Sequence, residues 1–353
     1  MSILNLFLQS ILIVIIAVSL LTFYPYPSLD VMAQHWTNKE LDVEIPRLAR
    51  FKFVHLPNSD HNVTLNLIEG GEQNEPLVIL LHGFPETALL TWSPLIDQFI
   101  EEGYHVIAPD MRGFNTSSKP VGLAAYQSGI VATDIKQLIT DYAKKEKAAV
   151  IGVDWGGAIA WEFSQLYPNH LLKLVNSVPM FNALPPAALW KHKRQFLKSW
   201  YMLFFQLKGI AEYAIARNNY AMLLRGFDEL GRKGLFSEKI AQRYISAWSQ
   251  PYELTATLNY YRNLILDMLK TMFRLQKKKP VQKLQVPTLL IYPSRDLYIE
   301  QGLVLECFNE LIDEKVKSQS QFLTINSSHW ITQEKPKEFF SIVIQFLKST
   351  NVK

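Results

Sequence analysis

Apolar and polar residues follow two different periods along this chain, and the two periods predict different elements. Six short runs rich in β-branched and aliphatic residues read as strands, at residues 51–56, 63–68, 77–81, 105–108, 148–153 and 172–177. Apolar residues at three- to four-residue spacing predict helices between the later runs, at 90–102, 129–142 and 156–167. Strands that alternate with helices predict a mostly parallel sheet with helices on both faces.

The strand pattern stops after residue 178. Residues 179–280 are rich in aromatic and apolar residues at helical spacing, and strand patterns resume only at 287–292 and 321–325, each followed by a helix. We therefore expect one α/β core, residues 51–178 and 281–353, interrupted after its sixth strand by a helical cap at 179–280. An insertion at that point covers the carboxyl ends of parallel strands, where ligands bind in open α/β sheets.

The amino-terminal segment predicts a membrane anchor. Residues 3–23 form a run of 21 residues without a charge. As a helix this run spans ~31 Å, about the thickness of a bilayer's hydrocarbon core. Because Lys39 is the first basic residue, the basic start of a cleaved signal peptide is missing. Residues 1–27 are thus predicted to be a single transmembrane helix and 28–50 a linker.

Three sequons begin at Asn62, Asn115 and Asn326. The second and third lie in loops that we place beside the active site below, where a glycan would obstruct entry. This favours a catalytic domain in the cytosol. We expect a single-pass protein of the endoplasmic reticulum membrane.

Composition narrows the chemistry. Cys307 is the only cysteine and the net charge is +4, and no Cys/His spacing suggests zinc. Phosphate-binding glycine loops are also missing from the sequence. Basic runs at 191–194 and 277–279 are typical of solvated surface patches. We therefore expect a mechanism with no metal and no cofactor, and no nucleic-acid partner.

One strand-to-helix turn carries a carboxylate between glycines, in the stretch Gly152-Val153-Asp154-Trp155-Gly156. Glycines flank a nucleophile on such a turn because the backbone bends sharply and larger side chains would collide with neighbouring elements. A carboxylate nucleophile forms an ester on the enzyme, which suits substrates with a strained or departing group on an sp3 carbon. The pattern alone also arises by chance, in about one chain in ten of this length.

Two later residues complete a catalytic arrangement. Asp296 follows the seventh predicted strand and His329 follows the eighth. The chain order of nucleophile, acid and histidine is that of α/β-hydrolases, in which all three meet at the carboxyl edge of the sheet. The turn that begins at His82 follows the third strand, and a turn of this kind supplies one oxyanion-hole N–H. The Trp155 N–H supplies the other.

These motifs together resemble the α/β-hydrolase epoxide hydrolases, over about residues 45–350. With the apolar amino terminus, the chain is most similar to the membrane-anchored animal members of the epoxide hydrolase 3 and 4 type. The stretches that carry the resemblance are His82-Gly83-Phe84-Pro85, Asp110-Met111-Arg112-Gly113-Phe114, Gly152-Val153-Asp154-Trp155-Gly156-Gly157, Asn259-Tyr260-Tyr261-Arg262-Asn263 and Ser328-His329-Trp330.

The resemblance implies a role for each residue. Asp154 would open the epoxide and form an ester, while Tyr201 and Tyr261 donate hydrogen bonds to the epoxide oxygen. His329, oriented by Asp296, would then activate the water that releases a vicinal diol. Two further groups of residues are expected: oxyanion donors at Phe84 and Trp155, and pocket residues at His82, Pro85 and Trp330.

Two alternatives stay open at this point. A dehalogenase shares the aspartate nucleophile but does not need the paired cap tyrosines. A catalytically idle, membrane-tethered binding protein of the same fold would be expected to have lost a triad residue, and Asp154, Asp296 and His329 are all present. The favoured substrate is a lipophilic epoxide, including fatty-acid epoxides, because an aromatic cap and a bilayer anchor suit substrates that partition into membrane.

Overall fold

A single mixed sheet organises the computed structural model, which describes residues 44–177, 191–272 and 281–349. Within these residues the sheet has eight strands in the order β1-β2-β4-β3-β5-β6-β7-β8. Only the β1–β2 and β2–β4 pairs are antiparallel. The strands are β1 (Ala49–Leu56), β2 (Val63–Gly70), β3 (Leu77–Leu81), β4 (His105–Pro109), β5 (Ala148–Gly152), β6 (Leu171–Asn176), β7 (Thr288–Pro293) and β8 (Gln321–Ile325).

Helices cover both faces of this sheet. Because β3 lies inside the sheet, its alternate residues belong to two separate cores. Leu77, Ile79 and Leu81 join one buried cluster, and Val78 and Leu80 join the other. The core helices are α1 (Ala88–Glu101), α2 (Ser128–Gln137), α3 (Trp155–Leu166), α10 (Gln301–Leu311), α11 (Glu314–Lys317), α12 (Ile331–Glu334) and α13 (Pro336–Lys348).

The mostly parallel sheet flanked by helices is the one that the periodicity predicts. One predicted helix, at 129–142, differs in detail. Its α-helical part ends at Gln137 and continues as a π-helical turn over Leu138–Tyr142. This turn carries the Tyr142 hydroxyl, which donates to Oε2 of the buried Glu69 at 2.6 Å.

Six helices of the inserted segment lie between β6 and β7 in the part of the chain that the structure describes. They are α4 (Lys193–Lys198), α5 (Trp200–Phe204), α6 (Ile210–Leu224), α7 (Asp228–Arg232), α8 (Glu238–Trp248) and α9 (Glu253–Met272). A 3-10 turn, Arg225–Phe227, joins α6 to α7. The proposed boundaries of this cap stay a prediction, since 178–190 and 273–280 lie outside the described residues.

Hydrogen bonds fix the cap onto the loops that follow the central strands. The Trp248 indole N–H donates to the Pro85 carbonyl at 2.6 Å, and the Tyr260 hydroxyl donates to the Arg112 carbonyl at 2.7 Å. Both acceptors come after the carboxyl ends of parallel strands, β3 and β4. The cap therefore roofs the edge of the sheet where a ligand site is expected.

No helix within 44–177, 191–272 or 281–349 is long and apolar enough to cross a membrane. The predicted anchor at residues 3–23 and the linker up to residue 43 lie outside the described residues. The transmembrane helix therefore stays a prediction.

Candidate active site

Asp154 stands on a strained turn between β5 and α3. Its backbone has φ of 49° and ψ of −122°, a conformation that non-glycine residues rarely adopt. The turn can be this tight because Gly156 has no side chain: a Cβ there would lie 2.2 Å from the Leu81 carbonyl oxygen. Gly83 has the same function on the facing turn, where a Cβ would lie 2.4 Å from that of Asp154.

The two oxygens of the Asp154 carboxylate have different partners. Oδ1 accepts a hydrogen bond from the Phe84 backbone N–H at 2.8 Å. Oδ2 lies 3.4 Å from Nε2 of His329. One oxygen is thus held by a backbone donor, as an oxyanion hole requires, and the other faces the histidine. The corresponding role of the Trp155 N–H stays a prediction.

The loops after β7 and β8 bring Asp296 and His329 together. Nδ1 of His329 lies 2.8 Å from Oδ2 of Asp296. The other oxygen, Oδ1, accepts the backbone N–H groups of Tyr298 at 2.7 Å and Ile299 at 2.9 Å. Because the Asp296 side chain is fully buried and both of its oxygens are engaged, it holds the imidazole in one orientation with Nε2 toward Asp154.

Two neighbouring carboxylates set the pKa of His329. Burial opposes the charged imidazolium, but the carboxylates of Asp296 and Asp154 outweigh burial and hold the pKa of His329 well above 6.5. The surroundings of His329 therefore favour its protonated form more than water does.

Tyr201 and Tyr261 come from two different cap helices, α5 and α9, and their ring centroids lie 5.8 Å apart. The ring of Tyr261 also packs at right angles against Trp155 at 5.0 Å and Phe84 at 5.3 Å, the two residues that flank the nucleophile. Burial, aided by the negative charge of Asp154, raises the pKa of both phenols well above 10. Both hydroxyl groups therefore keep their protons and can donate hydrogen bonds.

Two groups near the triad were missed by sequence reasoning. Tyr298 packs against the His329 ring at 5.0 Å and the Tyr201 ring at 6.0 Å, and burial raises its pKa to about 12. Glu86 directly follows the Phe84-Pro85 turn and is only 3% exposed. Burial raises its pKa to about 7 although the Gln333 amide donates to it. Both residues follow the carboxyl end of a parallel strand, β7 for Tyr298 and β3 for Glu86, and this position was the only feature of the sequence that pointed to them.

Two predicted pocket residues turn out to have structural contacts. His82 is fully buried, its Nε2 accepts the Met111 N–H at 3.0 Å, and its Nδ1 lies 2.9 Å from the Gly83 carbonyl oxygen. Burial lowers the pKa of His82, so the neutral ring fastens two loops and does not line the cleft. The Trp330 indole N–H donates to the Gly226 carbonyl in the cap at 2.7 Å. Contact of Pro85 with substrate stays a prediction.

No group of three or more His, Cys, Asp and Glu side chains that could hold a metal ion is found among the described residues. A mechanism without metal or cofactor stays a prediction. The arrangement brings together a carboxylate that accepts a backbone N–H, a histidine held by a second carboxylate and a pair of phenols.

The chain matches a known family of proteins over most of its core. A family model described as the alpha/beta hydrolase fold matches residues 76–336, so the chain belongs to the α/β-hydrolase family. Epoxide hydrolase 4 of Homo sapiens is 31% identical over 313 residues, which cover 86% of this chain and 80% of that protein. Epoxide hydrolase 3 of Mus musculus is 30% identical over 298 residues, 83% of this chain and 76% of that protein. Within the family, the chain is an epoxide hydrolase.

Other relatives agree with this assignment. The AB hydrolase superfamily protein YfhM of Bacillus subtilis is 34% identical over 290 residues, 82% of this chain and 96% of that protein. Among solved structures, an epoxide hydrolase of Bacillus megaterium in complex with an inhibitor superposes with a TM-score of 0.72 at 27% identity, covering 84% of this chain and 99% of that one.

Proposed function

We propose that the chain converts lipophilic epoxides to vicinal diols in two half-reactions through an ester on Asp154. The observation that carries this proposal is the set of groups around the Asp154 carboxylate. Asp154 accepts the Phe84 N–H with one oxygen and faces His329 with the other, beneath a cap that carries the tyrosine pair.

In the first half-reaction, Oδ2 of Asp154 attacks a ring carbon of the epoxide. The C–O ring bond breaks as the new ester bond forms, and negative charge develops on the departing oxygen. An alkoxide is a poor leaving group, so the phenols of Tyr201 and Tyr261 would donate hydrogen bonds to it and one would transfer its proton. The raised pKa of both phenols keeps them protonated, so that each can donate.

In the second half-reaction, His329 removes a proton from water and the hydroxide attacks the ester carbonyl. The oxyanion that forms corresponds to Oδ1 of Asp154, which the Phe84 N–H already contacts. Esterification also removes the negative charge that faces His329. Because that charge helps to raise the pKa of His329, the pKa falls in the ester and the imidazole becomes a competent base. The proton that His329 loses in becoming a base neutralises the phenolate left by the first half-reaction. Collapse of the tetrahedral intermediate then expels the alkoxide of the diol, which takes the proton of the new Asp154 carboxyl group and restores the carboxylate, while the proton from water stays on His329.

The tyrosine pair favours an epoxide over a halide as the leaving group. A halide departs without a proton, whereas an epoxide oxygen needs a hydrogen-bond donor as charge develops. Burial raises the pKa of both phenols, so they keep their protons and can donate to a developing alkoxide. Dehalogenation is therefore the less suitable reaction for this arrangement.

The ester can be tested by isotope tracing in a single turnover. Excess enzyme is mixed in H2(18)O with a lipophilic aryl epoxide such as trans-stilbene oxide, and the diol and the peptide that contains Asp154 are analysed by mass spectrometry. If the ester forms, the first diol carries no 18O and the Asp154 carboxylate gains it. Appearance of 18O in the first diol would mean that water attacks the ring directly.

The variant Asp154→Asn tests whether this residue is the nucleophile. Asp141→Asn, at an exposed position, is the matched control. We expect diol formation by Asp141→Asn at the wild-type rate and neither ester nor diol with Asp154→Asn. Diol formation at the wild-type rate by both variants would disprove the nucleophile assignment.

The membrane anchor and the cytosolic location are part of the proposal. One observation supports a compartment without glycosylation: the Asn115 side-chain amide donates to Oδ2 of Asp110 at 2.8 Å, and the Asn115 backbone N–H donates to the cap residue Glu253 at 3.0 Å. A glycan on Asn115 would disrupt this closed loop. A shift in mass of the cellular protein on glycosidase treatment would contradict the cytosolic location.

Extraction tests the anchor itself. The full chain is expected to stay in the membrane fraction at alkaline pH. Charges in the middle of the apolar run, as in Val14→Arg with Ile16→Arg, should release it because an ionised side chain at the bilayer centre is costly. Release of both proteins alike would speak against the span.

A further inference from the structure

Two aromatic rings contact the imidazole of His329 from neighbouring directions, with their own centroids 6.4 Å apart. Tyr298 has a ring-centroid distance to the imidazole of 5.0 Å and an interplanar angle of 72°. Trp330 lies at the same distance with an angle of 86°. The hydrogen bond from His329 to Asp296 fixes Nδ1, but a hydrogen bond at one corner of a ring still permits the ring to tilt. Contact with the rings of Tyr298 and Trp330 restricts that tilt and thereby fixes where Nε2 points.

The rings of Tyr298 and Trp330 are both packed against the cap. The turn Arg225–Phe227 presents the Gly226 carbonyl, which accepts the Trp330 indole N–H at 2.7 Å. A Cβ on Gly226 would lie 3.3 Å from the Tyr298 hydroxyl and 3.6 Å from Cζ2 of Trp330. The backbone of this cap turn therefore lies directly against the two rings that contact His329.

Phe227 extends this support into the interior of the cap. Its ring stacks on Trp330 with a centroid distance of 4.3 Å and an angle of 26°. It also stacks on Tyr244 at 4.5 Å and on Phe236 at 5.2 Å. Because Phe227, Phe236 and Tyr244 are almost fully buried, the stack is a rigid connection from the cap core to the residue next to His329.

We propose that Gly226 and Phe227 are positioning residues for His329, and that through them the cap controls the rate at which the ester on Asp154 is hydrolysed. This inference rests on the two half-reactions proposed above. Phe227 contacts Trp330 on the histidine side of the cleft, whereas Tyr201 and Tyr261 lie on α5 and α9. Loss of the Phe227–Trp330 contact should therefore slow ester hydrolysis and leave ester formation nearly unchanged.

A shortened side chain at position 227 tests the proposal. Phe227→Leu keeps the site apolar but removes the ring on which Trp330 stacks. Rapid mixing of excess enzyme with trans-stilbene oxide, quenching in acid and intact-mass measurement give the rate constants for formation and decay of the ester. We expect decay to slow about 10- to 100-fold, the effect of a displacement of about 1 Å in a catalytic group, and the ester to accumulate at steady state.

Phe236→Leu is the matched control. Phe236 stacks on Phe227 and Tyr244, so its truncation makes a similar void in the same stack while the Phe227–Trp330 contact remains. Both rate constants should stay close to those of the wild type. If Phe227→Leu does not fold, Trp330→Phe keeps an aromatic ring but loses the indole N–H to Gly226 and part of the ring area that stacks on Phe227. A slower decay step is again expected.

Three results can be told apart. If the wild type forms no ester, the proposed two-step function is wrong. If the wild type forms and hydrolyses an ester but Phe227→Leu slows both steps equally, or slows neither, the positioning role is wrong while the function stands. If Phe236→Leu slows decay as much as Phe227→Leu does, general loosening of the cap explains the effect and the specific contact with Trp330 is overturned.

Discussion

Glu253 makes the junction between cap and core sensitive to pH. This first residue of α9 is 2% exposed, accepts the Asn115 N–H at 3.0 Å and lies 3.4 Å from the Lys119 ammonium. Burial is the largest effect and is aided by the nearby charge of Asp110. These two outweigh Lys119 and the Asn115 N–H, so the pKa of Glu253 rises from 4.5 to about 8. At neutral pH the buried carboxyl is therefore mostly protonated.

The sign of the effect follows from proton binding. In the unfolded chain Glu253 loses its proton near pH 4.5, whereas in the folded chain it keeps the proton up to about pH 8. Stability from this group is therefore complete below pH 4.5 and is lost as pH rises toward 8. Between pH 5 and 8 the loss is on the order of 4 kcal/mol, a large part of the stability of an ordinary domain.

Urea unfolding of the wild type and Glu253→Gln at several pH values from 5 to 8 measures this loss. The variant cannot titrate at position 253, so the wild type should lose free energy of unfolding relative to it as pH rises. Any constant cost of the amide drops out, because only the change with pH is compared. Glu314→Gln, at a side chain that is 70% exposed, is the control and should follow the wild type. A constant difference between wild type and Glu253→Gln would refute the reasoning.

Three further predictions concern the site and its turn. Tyr261→Phe should slow ester formation about 100-fold, since a donor to the developing alkoxide is lost, and single-turnover kinetics measure this. Asp296→Asn should slow ester decay about 1,000-fold. It should also shift the pH dependence of decay downward, because the pKa of His329 falls without that carboxylate. Gly156→Ala places a methyl group 2.2 Å from a carbonyl oxygen of β3, so urea unfolding should show a loss of about 3 kcal/mol or more. Gly129→Ala, with its nearest contact at 3.4 Å, should cost little.

Local patterns were sufficient to predict much of the molecule. Alternating and continuous apolar runs predicted the strands, because a residue's side in a strand depends only on its position in the run. The glycines around Asp154 predicted a sharp turn, and Asp296 and His329 were found by their positions after late strands. The structure places these three side chains together, as parallel strands with a common carboxyl edge require.

Tyr201 shows the limit of this approach. Helical spacing does not fix which of several neighbouring aromatic residues on a short helix faces the cleft, and it is the folded cap that brings the Tyr201 ring to 5.8 Å from Tyr261. His82 is a second case. It was predicted as a pocket residue, and only the folded structure shows that the Met111 N–H, 29 positions away in the chain, engages its ring nitrogen.

The sequence by itself determined the class of fold and predicted that Asp154, Asp296 and His329 meet at one edge of the sheet, because each depends on short stretches whose chemistry is local. The tertiary structure alone decided what surrounds those groups. Trp330 meets a carbonyl 104 positions earlier in the chain, and Glu253 meets a backbone N–H 138 positions away. Such contacts leave no period in the sequence, since they arise only when separate elements pack and bury a polar group that must then find a partner.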